Sequence, residues 1–176
     1  MSFSDSLSHA QDPRTESVYV VFVCTGNICR SPMADVMFAD AIDDAGLSSQ
    51  VRVASCGMGG WHVGQGADRR AVEQLARLGH DGTRHRAAQL GPEHEDANLF
   101  VAMDAGHVRE LRAAGITKER IRLLRSFDPA AAPKAEVADP YYGGEEGFVE
   151  VGEQIAAALP GLVAWARAEV EDSSDR

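Results

Sequence analysis

The chain has 176 residues, 44% of them hydrophobic and 25% charged, which suits one domain with a sizeable core. Its 17 basic and 27 acidic side chains give a formal net charge of −10. With no basic stripe visible, that balance argues against nucleic acid or an anionic membrane surface as partner, although a small anion held by a local nest of amides stays compatible with it.

In chain order, residues 1–16 are polar and read as a disordered arm without the apolar core of a secretory signal. No apolar run approaches the roughly 18 residues needed to span a bilayer. The expected domain covers residues 17–170, and 171–176 reads as an acidic tail. Val18–Val23 (VYVVFV) is a β-branched and aromatic run, the pattern of a strand buried on both faces. Met33, Val36, Met37 and Ala41 then recur at helical spacing, with Gly46 as the stop. Val51–Ala54 predicts a second strand, followed by a glycine-rich loop, and 67–78 a helix stopped by Gly79. A third strand over 99–103, a helix over 105–114 stopped by Gly115 and a fourth strand over 121–124 follow. A proline-punctuated loop carries DPYYGG, and a final helix over 148–170 contains Pro160, which is expected to kink or split it. Strands alternating with helices predict an α/β fold with a parallel sheet, helices on both faces, and ligands bound beyond the carboxyl ends of the strands.

The loop CTGNICRS leaves the carboxyl end of the first strand and enters a helix. Its successive N–H groups can curl into a nest, and the helix N-terminus adds unpaired donors and a favourable dipole. Gly26 allows a positive φ and close backbone approach, and Asn27 also tolerates the left-handed region and can brace the loop. Arg30 offers a planar fork for two oxygens of a tetrahedral anion. A thiol in such a setting ionises more readily than a free one, so Cys24 is a candidate nucleophile, with Ser31 as a hydrogen-bond donor to its sulfur. Attack on a phosphate would then need an acid for the departing oxygen and a base for water. Asp139, held in a Pro/Gly turn and flanked by Tyr141 and Tyr142, can do both. Trp61, on another loop after a strand, could wall an aromatic slot together with Tyr141 or Tyr142. Each feature alone has a plainer account: a small buried cysteine, a turn aspartate, a packing tryptophan.

Taken together, CTGNICRS followed by PMA, and DPYYG far downstream, resemble the low-molecular-weight protein tyrosine phosphatases, over roughly Val18 to Trp165. GWHVGQGAD, HRAAQ and LRSFDP bring the likeness close to the actinobacterial, mycobacterial-type branch. The resemblance implies a flavodoxin-like three-layer sandwich with a four-stranded parallel sheet, no metal and no organic cofactor. It implies Cys24 as nucleophile, Arg30 as phosphate binder and Asp139 as acid and base. Thr25, Gly26, Asn27, Ile28, Cys29 and Ser31 would complete the phosphate loop, and Trp61, Tyr141 and Tyr142 the pocket walls. His85 matches a histidine that hydrogen-bonds the loop serine, and Asp104 a supporting acid. Cys29 matches a cysteine that can form a reversible disulfide with the nucleophile.

Two features depart from the pattern: Met58 replaces a polar group near the pocket loop, which puts substrate preference in question, and Cys56 adds a thiol expected to be buried and inert. The three cysteines are too sparse for a disulfide framework and suit a reducing, cytoplasmic setting, while the resemblance leaves open export by a route without a signal peptide. Phosphotyrosine-containing proteins are the implied partners, with no nucleic acid, no membrane and a monomeric state. Arsenate reductase chemistry would need relay cysteines that the chain lacks, a zinc site would need a second ligand pair, and no GxxxxGK[ST] motif is present. A module that grips phosphotyrosine without cleaving it would have lost Cys24 or Asp139, and both are here.

Overall fold

The computed structural model describes residues 18–174, so the expected disorder of 1–16 and the last two residues of the acidic tail lie outside the described residues. Strand β1 (Val18–Cys24) leads into helix α1 (Arg30–Asp44), then β2 (Val51–Gly57), α2 (Arg69–Arg77), β3 (Leu99–Ala102), α3 (Ala105–Ala113), β4 (Ile121–Leu123) and α4 (Glu145–Ser174). All strand pairings are parallel, in the order β2-β1-β3-β4. This is a flavodoxin-like sheet, and β1 is at its centre because its apolar run can be covered on both sides.

Alternation along β1 divides the core. Val18, Val20, Phe22 and Cys24 face the layer of α1, α2 and α4, where Met33, Phe38, Leu75, Phe148 and Ile155 are buried. Tyr19, Val21 and Val23 face the opposite layer with Phe100, Leu111 and Ile121. Every other residue of one strand thus serves a different core, as the period of two requires.

The expected helix stops hold: Gly46, Gly79 and Gly115 take positive φ just beyond α1, α2 and α3. Several boundaries differ. β2 continues to Gly57 by pairing with β1 as far as Cys24, and α2 starts later because Asp68 is its N-cap, accepting from the Arg70 backbone N–H. β4 ends at Leu123, since Leu124 opens a 3₁₀ turn.

The last helix departs most. α4 starts at Glu145, runs through Pro160 without a break and extends to Ser174, into the segment expected to be an acidic tail. Pro160 and Ala156 are both exposed, so water can take the carbonyl that proline leaves unpaired. The inward side carries Val151, Ile155, Ala158, Leu162, Ala166 and Val170, and this apolar stripe holds the helix to the core.

Gly161 lets α4 come close to the turn after β4. A Cβ there would sit 2.2 Å from the Phe127 carbonyl oxygen, which is backbone and cannot swing aside. Gly161→Ala is therefore expected to destabilise the protein by about 2 kcal/mol, the overpacking outweighing the roughly 1 kcal/mol gained in helix propensity. Chemical denaturation followed by circular dichroism checks this, and a more stable variant would contradict the close contact.

Candidate active site

The loops that follow β1 and β2 and the loop before α4 enclose one cavity of about 350 Å³. Its floor is Cys24, Thr25, Gly26, Ile28, Cys29 and Arg30; Trp61 and His62 come from the loop after β2, and Asp139, Tyr141 and Tyr142 from the loop before α4. Of the residues singled out in the sequence, Asn27 and Ser31 are buried behind the floor rather than lining it.

The loop takes its shape from Asn27. It is fully buried and holds φ at 58°, so of the two loop residues able to enter the left-handed region it is Asn27 and not Gly26 that does. Asn27 Oδ1 accepts from the Ala88 N–H at 2.9 Å; Nδ2 donates to Ser31 Oγ at 2.8 Å and to Ser55 Oγ at 3.0 Å. Its carbonyl accepts from His85 Nε2 at 2.7 Å. His85 therefore does not bond Ser31 directly, as the resemblance suggested; Asn27 stands between them. Burial lowers the pKa of His85 and favours a neutral ring. Close approach is required at Gly57, where a Cβ would lie 2.8 Å from the Thr25 carbonyl oxygen.

Ser31 Oγ lies 2.9 Å from Cys24 Sγ. Because an amide nitrogen can only donate, Ser31 Oγ accepts from Asn27, which leaves its own proton for Cys24 Sγ or for the Cys56 carbonyl at 3.5 Å. The N-terminus of α1 has no side-chain cap and no acidic residue in its first turn, so no side chain of its own first turn competes with an anion there. Arg30 is 2% exposed and donates from Nη1 to Asp104 Oδ2 at 2.9 Å and to the Val137 carbonyl at 3.0 Å. Its Nη2 reaches toward Thr25 Oγ1 at 3.4 Å and lies 3.8 Å from Asp139 Oδ2. Asp139 Oδ1 meanwhile accepts from the Tyr141 N–H at 3.1 Å, so the residue is at once a turn former and a pocket acid.

Trp61 is 73% exposed and Tyr142 90%, with Tyr141 packed edge-on to Tyr142. These are open apolar surfaces at the mouth of a polar floor. Cys29 is buried at the floor, and burial, reinforced by Asp68, pushes its thiol up to about 12. Burial also pushes Cys56 up to about 12, and its side chain packs in the core on the α3 side of the sheet. Met58 packs against that same core and does not line the cavity, so the anticipated effect on substrate preference has no basis in its position.

Sequence reasoning missed His107 and Ser55. His107, in α3, sits with Nε2 2.9 Å from Thr25 Oγ1 and Nδ1 3.2 Å from Asp104 Oδ1. It ties α3 to the loop. A histidine three residues after an N-cap aspartate was the available signal, and it reads equally well as a capping pair. Ser55 was hidden as one hydroxyl inside β2.

Burial lowers the His107 pKa from 6.5 to about 4. The unfolded chain then binds a proton at pH values where the folded one does not, so stability falls as pH drops from 6.5 toward 4, by about 1.4 kcal/mol per unit for one such group. His85 and His94 are lowered too and act with the same sign. His107→Gln, which keeps a polar end but does not titrate, is expected to flatten the urea midpoint against pH in that window. An unchanged slope would contradict the burial account.

The model of the family described as low molecular weight phosphotyrosine protein phosphatase matches residues 19–173. Low molecular weight protein-tyrosine phosphatase A of Mycobacterium tuberculosis is 52% identical over 152 residues, covering 86% of this chain and 93% of its own. A low molecular weight protein-tyrosine-phosphatase of Streptomyces coelicolor is 49% identical over 157 residues, with 86% and 95% covered. Among solved structures, YfkJ from Bacillus subtilis superposes with a TM-score of 0.79 at 33% identity, over 86% of this chain and 96% of its own.

Proposed function

The chain belongs to the low molecular weight phosphotyrosine protein phosphatases, and we propose that it hydrolyses phosphotyrosine in proteins through a phosphocysteine intermediate on Cys24. The observation that carries this reading is the convergence of Cys24, Arg30 and Asp139 on one cavity beneath an aromatic rim.

In the first step the Cys24 thiolate attacks phosphorus, the S–P bond forming as the P–O bond to the phenol breaks. Asp139, in its protonated form, gives its proton to the departing phenolate oxygen. The loop amides and the Arg30 fork hold the equatorial oxygens, where charge is greatest in the transition state. Asp104 and the Val137 carbonyl fix the Arg30 guanidinium from behind, so the fork is oriented before the anion arrives. In the second step the Asp139 carboxylate takes a proton from water as the water attacks phosphorus. The S–P bond breaks and sulfur leaves as thiolate, stabilised by the Ser31 hydroxyl beside it.

Trp61 on one side and Tyr141 with Tyr142 on the other would stack against a phenyl ring whose phosphate reaches the floor. Phosphoserine is too short to span the same depth.

The experiment is phosphate release from matched phosphotyrosine and phosphoserine peptides without added metal, with Cys24→Ser and Asp139→Asn in parallel. Release from the phosphotyrosine peptide alone is expected, abolished in Cys24→Ser and lowered in kcat by about 10²–10⁴ in Asp139→Asn. Equal release from both peptides, or turnover that survives Cys24→Ser, would overturn the reading.

A further inference from the structure

We propose that Arg70, which lies outside the cavity, is a positioning residue that holds the loop of Asp139 in register with the phosphate loop. The proposal rests on the reading of Asp139 as general acid.

The guanidinium of Arg70 is used on two sides. One edge grips Asp68 as a fork, Nε to Oδ1 at 3.1 Å and Nη2 to Oδ2 at 3.0 Å. The other edge donates to backbone carbonyls of the acid loop, Nη2 to Tyr141 O at 3.0 Å and Nη1 to Gly143 O at 3.1 Å. These two tie the stretch between Asp139 and α4 to α2. The Gly144 carbonyl also accepts from the Gly147 N–H in α4, and two bonds are internal: Asp139 Oδ1 with the Tyr141 N–H, and the Gly143 N–H with the Pro140 carbonyl. The faces of the guanidinium are occupied as well, 4.5 Å from the Phe148 ring centroid at the start of α4 and 5.7 Å from that of Tyr141.

Asp68 carries the connection onward. Its backbone N–H donates to the Ile28 carbonyl in the phosphate loop at 2.8 Å, and its carboxylate caps α2. The Arg70 hydrogen bond holds that carboxyl below the usual carboxylate range, which favours the ionised form of the fork. A continuous chain of contacts therefore runs from Ile28 through Asp68 and Arg70 to Tyr141 and Gly143. Arg30 holds the acid itself only at 3.8 Å, too long for a hydrogen bond. Two residues before Asp139 the chain is held by Val137, bonded to Met103 and Arg30; two and four residues beyond it, Arg70 holds the Tyr141 and Gly143 carbonyls. Without the clasp the loop would sample more positions, and proton delivery would suffer before phosphate binding did.

A lysine could not replace this arrangement, because a compact ammonium lacks the fork that meets Asp68 on one edge and two carbonyls on the other. Nor is the pair strong simply because it is ionic: a surface ion pair contributes little on its own.

The test measures kcat/KM of wild type, Arg70→Ala, Arg70→Lys and Asp139→Asn on aryl phosphates with good and poor leaving groups. A good leaving group, dinitrophenol, needs no proton; phenol and tyrosine do. Arg70→Ala is expected to lose about tenfold or more on phenyl phosphate and under about threefold on dinitrophenyl phosphate, the same leaving-group pattern as Asp139→Asn at smaller amplitude. Arg70→Lys should fall between. In the Asp139→Asn background, adding Arg70→Ala should change nothing further, since the acid whose place it sets is gone.

Equal loss on all leaving groups, an additive loss in the Asp139→Asn background, or no loss would overturn the proposal while the wild type remains an active phosphatase. Loss of a cooperative melting transition in both Arg70 variants would show the residue to be purely structural and would overturn it too. A wild type inactive on every aryl phosphate would instead contradict the general-acid reading on which the proposal depends.

Discussion

Everything at this site depends on one backbone conformation, the φ of 58° at Asn27. A residue other than glycine in the left-handed region costs on the order of 1 kcal/mol, less for asparagine than for most. Here that cost is offset by four hydrogen bonds, from Ala88 and His85 and to Ser31 and Ser55. The inversion at Asn27 turns the chain so that a loop of only five residues, 25–29, can leave β1 and still present its floor to the cavity before α1 begins. The same side chain donates to Ser31 Oγ, beside the Cys24 sulfur.

The rest of the architecture brings supports to that loop from far along the chain. β1 is flanked by β2 and β3, so the ends of three adjacent strands open on the same side. β2 delivers Ser55 and, through Gly57, a backbone close enough to pack under Thr25. The end of β3 delivers Asp104, which holds Arg30 and caps α3, and α3 returns His107 to Thr25. The loop before α4 is stitched to β3 where the Val137 N–H donates to the Met103 carbonyl. A chain with net charge −10 can therefore hold an anion, because helix N-terminus, amides and one buried arginine dominate locally.

What the sequence made legible follows from how local each signal is. VYVVFV, the helix-stopping glycines and the Cys-to-Arg loop are written in consecutive residues, and element order followed from them. DPYYGG could be read because a turn aspartate between proline and aromatics is also local. Ser55 and His107 were not legible, nor was the reach of Arg70 to the acid loop: each acts through a partner reached only by folding, and Thr25 and His107, for instance, are 82 positions apart. Sequence reading left the left-handed turn open to Gly26 and Asn27 alike, and tertiary hydrogen bonds made asparagine the occupant. Pro160 misled for a related reason: a local rule against proline in helices was outweighed by an apolar stripe that spans the whole of α4. Met58 reads as near the pocket loop from the family pattern, whereas just beyond β2 it packs against the other core with Cys56.

The account stands on a covalent phosphoryl group carried by Cys24. Rapid quenching of Asp139→Asn during turnover of an activated aryl phosphate, followed by peptide mass spectrometry under mildly acidic conditions, addresses that directly. Slow hydrolysis of the intermediate in this variant should let a phosphoryl adduct accumulate on the peptide that contains Cys24, and nowhere else. Steady phosphate release with no adduct on Cys24, or with the adduct on another residue, would contradict the account.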